Sequence, residues 1–210
     1  KIQFFEKIAT EDIQETLIKS AADLISEETP NYQYVAGRLI NYHLRKMVYN
    51  SFEPPCLCDI IQDNIDAGFY DPEFTELYTK EEIDQLQSYI DHNRDEVLTY
   101  AAMEQFRGKY LVQNRATGQI FETPQVAYMM IAATLFANYP AENRMQYVKA
   151  YYDAISTFKI SLPTPVMAGV RTPQRQFSSC VLIETDDSLD SINATSSSIV
   201  KYVSQKAGIG

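Results

Sequence analysis

The run from Phe158 to Ile192, FKISLPTPVMAGVRTPQRQFSSCVLIETDDSLDSI, constrains the fold more than any other part of the chain. Pro163, Pro165, Gly169 and Pro173 break helical periodicity and predict extended backbone, because proline lacks a donor and restricts the residue before it. Phe177-Ser-Ser-Cys180-Val-Leu-Ile183 follows. A mostly apolar, β-rich segment bounded by turn signals predicts a short buried strand of the parallel-sheet kind. Ser178, Ser179 and Cys180 stand at its start, and Thr185-Asp186-Asp187 then turns into a new helix. That order would present hydroxyls and a thiol to a small ligand.

Ahead of this run the apolar residues recur at helical spacing. Thr10, followed by Glu11, Asp12 and the series Ile13, Leu17, Ile18, Ala21, Leu24 and Ile25, predicts an N-capped amphipathic helix with acids in its first turn. A second helix after Pro30-Asn31 carries Val35, Leu39, Ile40, Leu44, Met47 and Val48, and the two are expected to pack as a hairpin. His43 lies among those apolar positions, the place of a core or boundary histidine. Further helices are predicted from Cys58 to Phe69, ended by Gly68, and from a capping box at Thr79-Lys-Glu-Glu82 through Ile90. Others cover Val97 to Phe106, Val126 to Ala137 and Glu142 to Thr157. Between them, Tyr110 to Phe121 alternates around Thr117-Gly118, a β-hairpin signal. Asp91-His-Asn-Arg-Asp95 reads as a polar helix end, not an acid–base cluster. Asp187 is the expected N-cap of the last helix, whose apolar stripe is Leu189, Ile192, Ile199, Val200 and Val203.

A chain of 210 residues with 45% hydrophobic content can bury a sizeable core. Its formal net charge of −10 argues against a nucleic-acid polymer as partner, since that needs a basic face. A mononucleotide needs only a few local cations and a helix N-terminus. No apolar run is long enough to span a bilayer and no signal-peptide pattern opens the chain, so a cytoplasmic protein is expected. The cysteines are Cys56, Cys58 and Cys180, which fits a reducing compartment. Cys56-Leu-Cys58 has the wrong spacing for a C-x-x-C pair, and two histidines in the whole chain leave it without metal partners. These two are read as free thiols near a helix start, and no metal site is expected.

The segment ISLPTPVMAGVRTPQRQFSSCVLIE, with DSLDSINAT after it, resembles the large, catalytic subunit of class I ribonucleotide reductase of the bacterial aerobic kind. The likeness extends more loosely over the rest of the chain, which looks like an N-terminal portion of a longer subunit. It implies an oxidoreductase of deoxyribonucleotide biosynthesis and DNA replication. Ribonucleoside diphosphates would be reduced by radical chemistry with a redox-active cysteine pair, under allosteric control by nucleotides. It also implies a mainly α fold in three parts. Residues 1–50 would be partial ATP-cone helices, 51–157 a helical region with one β-hairpin, and 158–210 the first strand and helix of a ten-stranded α/β barrel.

By position in that motif, Cys180 becomes one of the two cysteines that reduce the substrate and close a disulfide. Thr164 and Ser179 become substrate contacts, Thr164 within a Pro-Thr-Pro clamp. Asp187, Ser188 and Leu189 fall on the specificity site for a deoxynucleotide effector, and Thr10, Asp12, His43 and Lys46 on the activity site for ATP or dATP. Gln14 stands where many members carry a histidine, and the hairpin that precedes the cone helices would lie outside this chain. The implied partners are a small subunit bearing a di-iron tyrosyl radical, a second large subunit meeting the helix after Asp187, and thioredoxin or glutaredoxin. The chain alone would then be inactive. Taken by itself, a cysteine at a strand edge is more often inert core than nucleophile. The alternatives are therefore a stand-alone nucleotide-binding regulatory module on the first two helices and a helical interaction protein.

Overall fold

The computed structural model describes residues 7–205 and 207–210. Helices dominate it. α1 (Thr10–Ala22) and α2 (Tyr32–Tyr49) pack together as the sequence predicts, burying Ile18 and Ala21 against a face that includes Ala36, Ile40 and Leu44. Ala9 is the N-cap of α1, and Thr10 is its first helical residue. α2 also packs on the short 3₁₀ helix His92–Val97 and on the later helix Tyr100–Gln105. Gly37 permits this approach, because a Cβ there would overlap the carbonyl of Leu98.

α3 (Leu57–Asp66) ends where Gly68 takes a φ of 75°. The short α4 (Phe74–Leu77) leads to α5 (Lys80–Tyr89), whose start carries the predicted capping box: Thr79 and Glu82 each satisfy the other's backbone N–H. After α6 (Tyr100–Gln105) the chain makes one π-helical turn, Phe106–Tyr110. The expected hairpin follows as a single antiparallel bridge between Gln113 and Ile120, closed through Asn114 and Gly118. α7 (Pro124–Phe136) is buried at every position from Pro124 to Ala133. A helix apolar all round belongs at the centre of a bundle, and α8 (Ala141–Ser156), α9 (Thr164–Gly169) and the 3₁₀ helix surround it. Among the described residues no helix is long and apolar enough to cross a membrane.

The proline-rich run departs from the extended backbone predicted for it. Thr164 opens α9, with Pro163 as N-cap and Pro165 in the first turn, where a missing N–H costs nothing. After it, β1 (Cys180–Val181) pairs in parallel with β2 (Gly208–Ile209), and α10 (Leu189–Ser204) crosses between them. Cys180 faces Gly208 and Val181 faces Ile209. The strand is not buried: Cys180 is exposed and Leu182 is 84% exposed, because among the described residues β2 is the only strand beside it and none of α10 is buried.

One buried network ties the helical body to this region. The Arg171 guanidinium, 1% exposed, lies on the Glu122 carboxylate, 0% exposed, with Nε donating to Oε2 at 2.8 Å. Arg171 also donates to the carbonyls of Met167 at 2.7 Å and Tyr110 at 2.9 Å. Glu122 in turn accepts from the Val112 N–H at 2.7 Å and from the Tyr70 hydroxyl. Burial and the adjacent Glu122 charge push the Tyr70 hydroxyl well above its ordinary value, so it stays a donor. Replacing Arg171 with Met leaves Glu122 as a buried charge without a cation. We expect a loss of about 3–5 kcal/mol in urea unfolding; a loss below about 1 kcal/mol would show the pair to be dispensable.

A second buried cluster surrounds Asp95, which is 0% exposed. Gln125 Nε2 donates to Asp95 Oδ1 at 2.8 Å, and the Tyr152 hydroxyl donates to Gln125 Oε1 at 2.7 Å. Arg45 Nη2 lies 3.7 Å from Asp95 Oδ2 and donates to the His92 carbonyl at 2.9 Å. Burial pushes the Asp95 carboxyl up to about 7 despite Gln125 and Arg45. Burial, and then the Arg45 charge, pushes the His92 imidazole down to about 4. A raised carboxyl favours the fold most where it is protonated in both states, and that advantage is lost as pH rises from about 4 to about 7. A depressed imidazole acts oppositely, adding stability as pH rises from about 4 to the unfolded value of 6.5. Asp95→Asn should therefore gain stability relative to the unmodified chain between pH 5 and pH 7.5, whatever the absolute cost of the substitution. Thermal unfolding at the two pH values checks this, and an unchanged difference would refute it.

Candidate functional site

The connector from Val170 to Ser178 brings the end of α9 to the start of β1. Arg175 pairs with Asp71, the Asp71 N–H donates to the Arg171 carbonyl at 3.0 Å, and Gln174 Nε2 donates to the Gln176 carbonyl at 2.9 Å. Ser178, Ser179 and Cys180 then emerge side by side and exposed, with Cys180 a free thiol. Gly208 allows β2 to lie against this edge, since a Cβ there would come within 2.8 Å of the Ser179 carbonyl.

Thr164 is half-buried at the start of α9 and lines a cleft of about 810 Å³. Gly68, Phe69, Lys109, Arg115 and Gln174 share its wall, while Ser179 and Cys180 do not line it. The cleft therefore holds Thr164, without Ser179 or Cys180, together with two cations that sequence reasoning did not single out. Arg115 donates to the carbonyls of Gly108 at 3.0 Å and Lys109 at 3.3 Å, which fixes its place on the rim. A wall with the hydroxyls of Thr164, Thr172 and Ser204, two cations and apolar surface suits an anionic ligand of moderate size.

At the start of α10 the predicted N-cap shifts by one residue. Ser188 is the cap, accepting from the Ser191 N–H at 3.2 Å; Asp187 precedes it, its N–H donating to Asp186 Oδ1 at 2.9 Å. Serine wins the position because its Oγ reaches the third-residue amide directly. Asp187 and Leu189 are both exposed, Leu189 at 85%. The stripe beyond is also open to solvent, with Val200 at 69% and Val203 at 54%.

The four residues predicted for an adenine nucleotide are spread around α1 and α2. His43 is buried and lines a cavity of about 310 Å³ with Glu15, Met47, Glu104 and Arg107. His43 Nε2 lies 3.8 Å from Glu15 Oε1, and Arg107 bonds both Glu15 and Glu104 at 2.8 Å. Burial alone would raise the Glu15 carboxyl, but the Arg107 hydrogen bond and charge outweigh it and hold it below its ordinary value. Thr10, Asp12 and Lys46 are exposed and lie outside this cavity's wall, and the Lys46 ammonium sits 5.2 Å over the Phe52 ring.

The reading of Cys56 and Cys58 as free thiols is overturned: the structure pairs the two as a disulfide, with Cα atoms 5.3 Å apart. Cys56 is the N-cap of α3 and Cys58 lies in its first turn. The turn from an extended cap residue into the helix folds two side chains at this spacing toward each other, which linear spacing rules for C-x-x-C do not register.

A family model described as "Ribonucleotide reductase, all-alpha domain" matches residues 96–175. The chain is 63% identical over 209 residues, its whole length, to "Ribonucleoside-diphosphate reductase 1 subunit alpha" of Escherichia coli (strain K12). It is 61% identical over 209 residues to the subunit alpha of Haemophilus influenzae, and 52% identical over 203 residues to that of Enterobacteria phage T4. The chain spans 28% of the length of the two bacterial relatives and 27% of the phage one.

Proposed function

We propose, on the premise that this chain belongs to the family of ribonucleoside-diphosphate reductase alpha subunits, that it carries part of the substrate and effector surfaces of such an enzyme. The reaction is reduction of a ribonucleoside diphosphate: the ribose 2′-hydroxyl leaves as water while two thiols become a disulfide. Cys180 supplies one of those thiols. The observation that carries this reading is its placement, free and exposed beside Ser178 and Ser179 on a strand held parallel to β2. Ser179 and Thr164 are the hydrogen-bonding contacts to the substrate. The unit of β1, α10 and β2 is the start of the ten-stranded α/β barrel, whose further strands would supply the second reducing cysteine.

The effector reading rests on α10. Ser188, Asp187 and Leu189 would receive a deoxynucleotide at the helix start, where free N–H groups and the positive end of the helix favour phosphate oxygens. The exposed stripe from Leu189 to Val203 would meet a second alpha subunit, so effector and dimer contact share one helix. ATP or dATP would be received by Thr10, Asp12, His43 and Lys46. The stable radical comes from a di-iron centre on the small subunit, and thioredoxin or glutaredoxin returns the cysteine pair to thiols in the cytoplasm.

In the full-length subunit with its radical-bearing partner, Cys180→Ser should abolish multiple turnover with a dithiol reductant. Retained turnover would remove Cys180 from the chemistry. Asp187→Ala should weaken dTTP binding roughly 10- to 100-fold, the equivalent of one lost charge-assisted hydrogen bond of about 1.5–3 kcal/mol. Effector-free turnover should stay intact. Calorimetry showing unchanged dTTP affinity would move the effector away from this helix. Tight ATP binding by the chain alone, with no effect of Asp187→Ala, would favour a regulatory nucleotide module.

A further inference from the structure

The Cys56 and Cys58 pair has no part in the chemistry assigned to Cys180, and its setting is unusual for a structural cross-link. A disulfide stabilises mainly by closing a loop in the unfolded chain, and the gain grows with loop length. These cysteines are separated by two positions, so the bond constrains almost nothing that Leu57 has not already constrained. Leu57 is 2% exposed and anchors the start of α3, and its N–H is capped by Gln87 Oε1 at 3.0 Å. Both cysteines are only half-buried and remain open to a reagent in solution.

We propose that Cys56 and Cys58 form a reversible dithiol–disulfide site that exchanges with a small-molecule disulfide of the glutathione class. The two sulfurs have different surroundings. Cys56 occupies the N-cap of a ten-residue helix, where the amides of the first turn favour negative charge. Cys58 Sγ lies 3.6 Å from Asp59 Oδ1, so a thiolate at Cys58 would face a carboxylate. Cys56 is therefore the attacking thiolate. It attacks one sulfur of the incoming disulfide and expels a thiolate, which takes up the proton that Cys56 lost. Cys58 then gives up its proton and attacks the Cys56 sulfur of the mixed disulfide, expelling the second thiolate, which takes that proton. Two electrons pass from the protein to the reagent, giving one protein disulfide and two small thiols; the reverse sequence regenerates the dithiol.

The test uses the full-length subunit equilibrated with a series of reduced-to-oxidised glutathione ratios, quenched with acid, alkylated and digested with trypsin. The peptide 47–80 contains both cysteines and excludes Cys180. It should pass from doubly alkylated to unalkylated in one two-electron transition. Cys58→Ser should instead trap one glutathionyl group on Cys56, and Cys56→Ser should take up that group more slowly than Cys58→Ser. Two alkylated thiols at every ratio would overturn the proposal, as would a native peptide that accumulates bound glutathione in place of the internal disulfide. Faster uptake by Cys56→Ser would overturn the assigned order of attack.

Discussion

The ion pair between Arg171 and Glu122 is the interaction on which the arrangement of the rest depends. Two opposite charges with 1% and 0% exposure are costly to desolvate, and they are tolerable because each guanidinium nitrogen and each carboxylate oxygen has a hydrogen-bond partner. Tyr70 from the loop after α3, Val112 from the bridged hairpin, and the carbonyls of Tyr110 and Met167 all close on this pair. Four separate stretches are thus fixed relative to one another by one point of charge. A hydrophobic cluster of equal volume would hold them together without dictating their register. Thr164 opens the same short helix whose Met167 carbonyl holds Arg171, so the cleft wall is positioned from the core.

What could be read from the sequence was whatever is written in local chemistry. Thr79 and Glu82 specify a helix start by reciprocal bonds three residues apart, and that start was found where expected. The unbroken apolar run in α7 specified a helix, and its burial from Pro124 to Ala133 follows from having no polar face to expose there. Cys180, Thr164 and the residues around Asp187 could be singled out because they lie within one dense motif. Their geometry could not. The tolerance of a first helical turn for proline turned a predicted extended clamp into α9, and the serine one residue further on displaced Asp187 as a cap.

The larger misses concern properties that only tertiary structure creates. Asp95 sits in a polar stretch that looks solvated, and it is buried because Arg45, Gln125 and Tyr152 arrive from other helices. Lys109 and Arg115 reach the same cleft as Thr164 from the π-helical turn and the hairpin about fifty residues earlier, a proximity no spacing rule contains. Burial of β1 was expected from its composition, yet burial is a property of what lies on either side of a strand. With β2 alone beside it among the described residues, the apolar composition of Val181 to Ile183 describes what that edge is able to accept.

Order of synthesis gives the buried pair a temporal side. A chain leaves the ribosome from its N-terminal end, and Glu122 precedes Arg171 by 49 residues. Until Arg171 emerges, the carboxylate has no cation to accompany it out of water, and Val112 and Tyr70 have no fixed acceptor to converge on. Helices α1 to α9 all precede Arg171 in the chain, so they can form and collide before the buried carboxylate has its cation. Arg171, just beyond α9, is thus the last member of the buried network to be made, and Glu122 meets its counter-charge only after every other residue that contacts the pair has been synthesised.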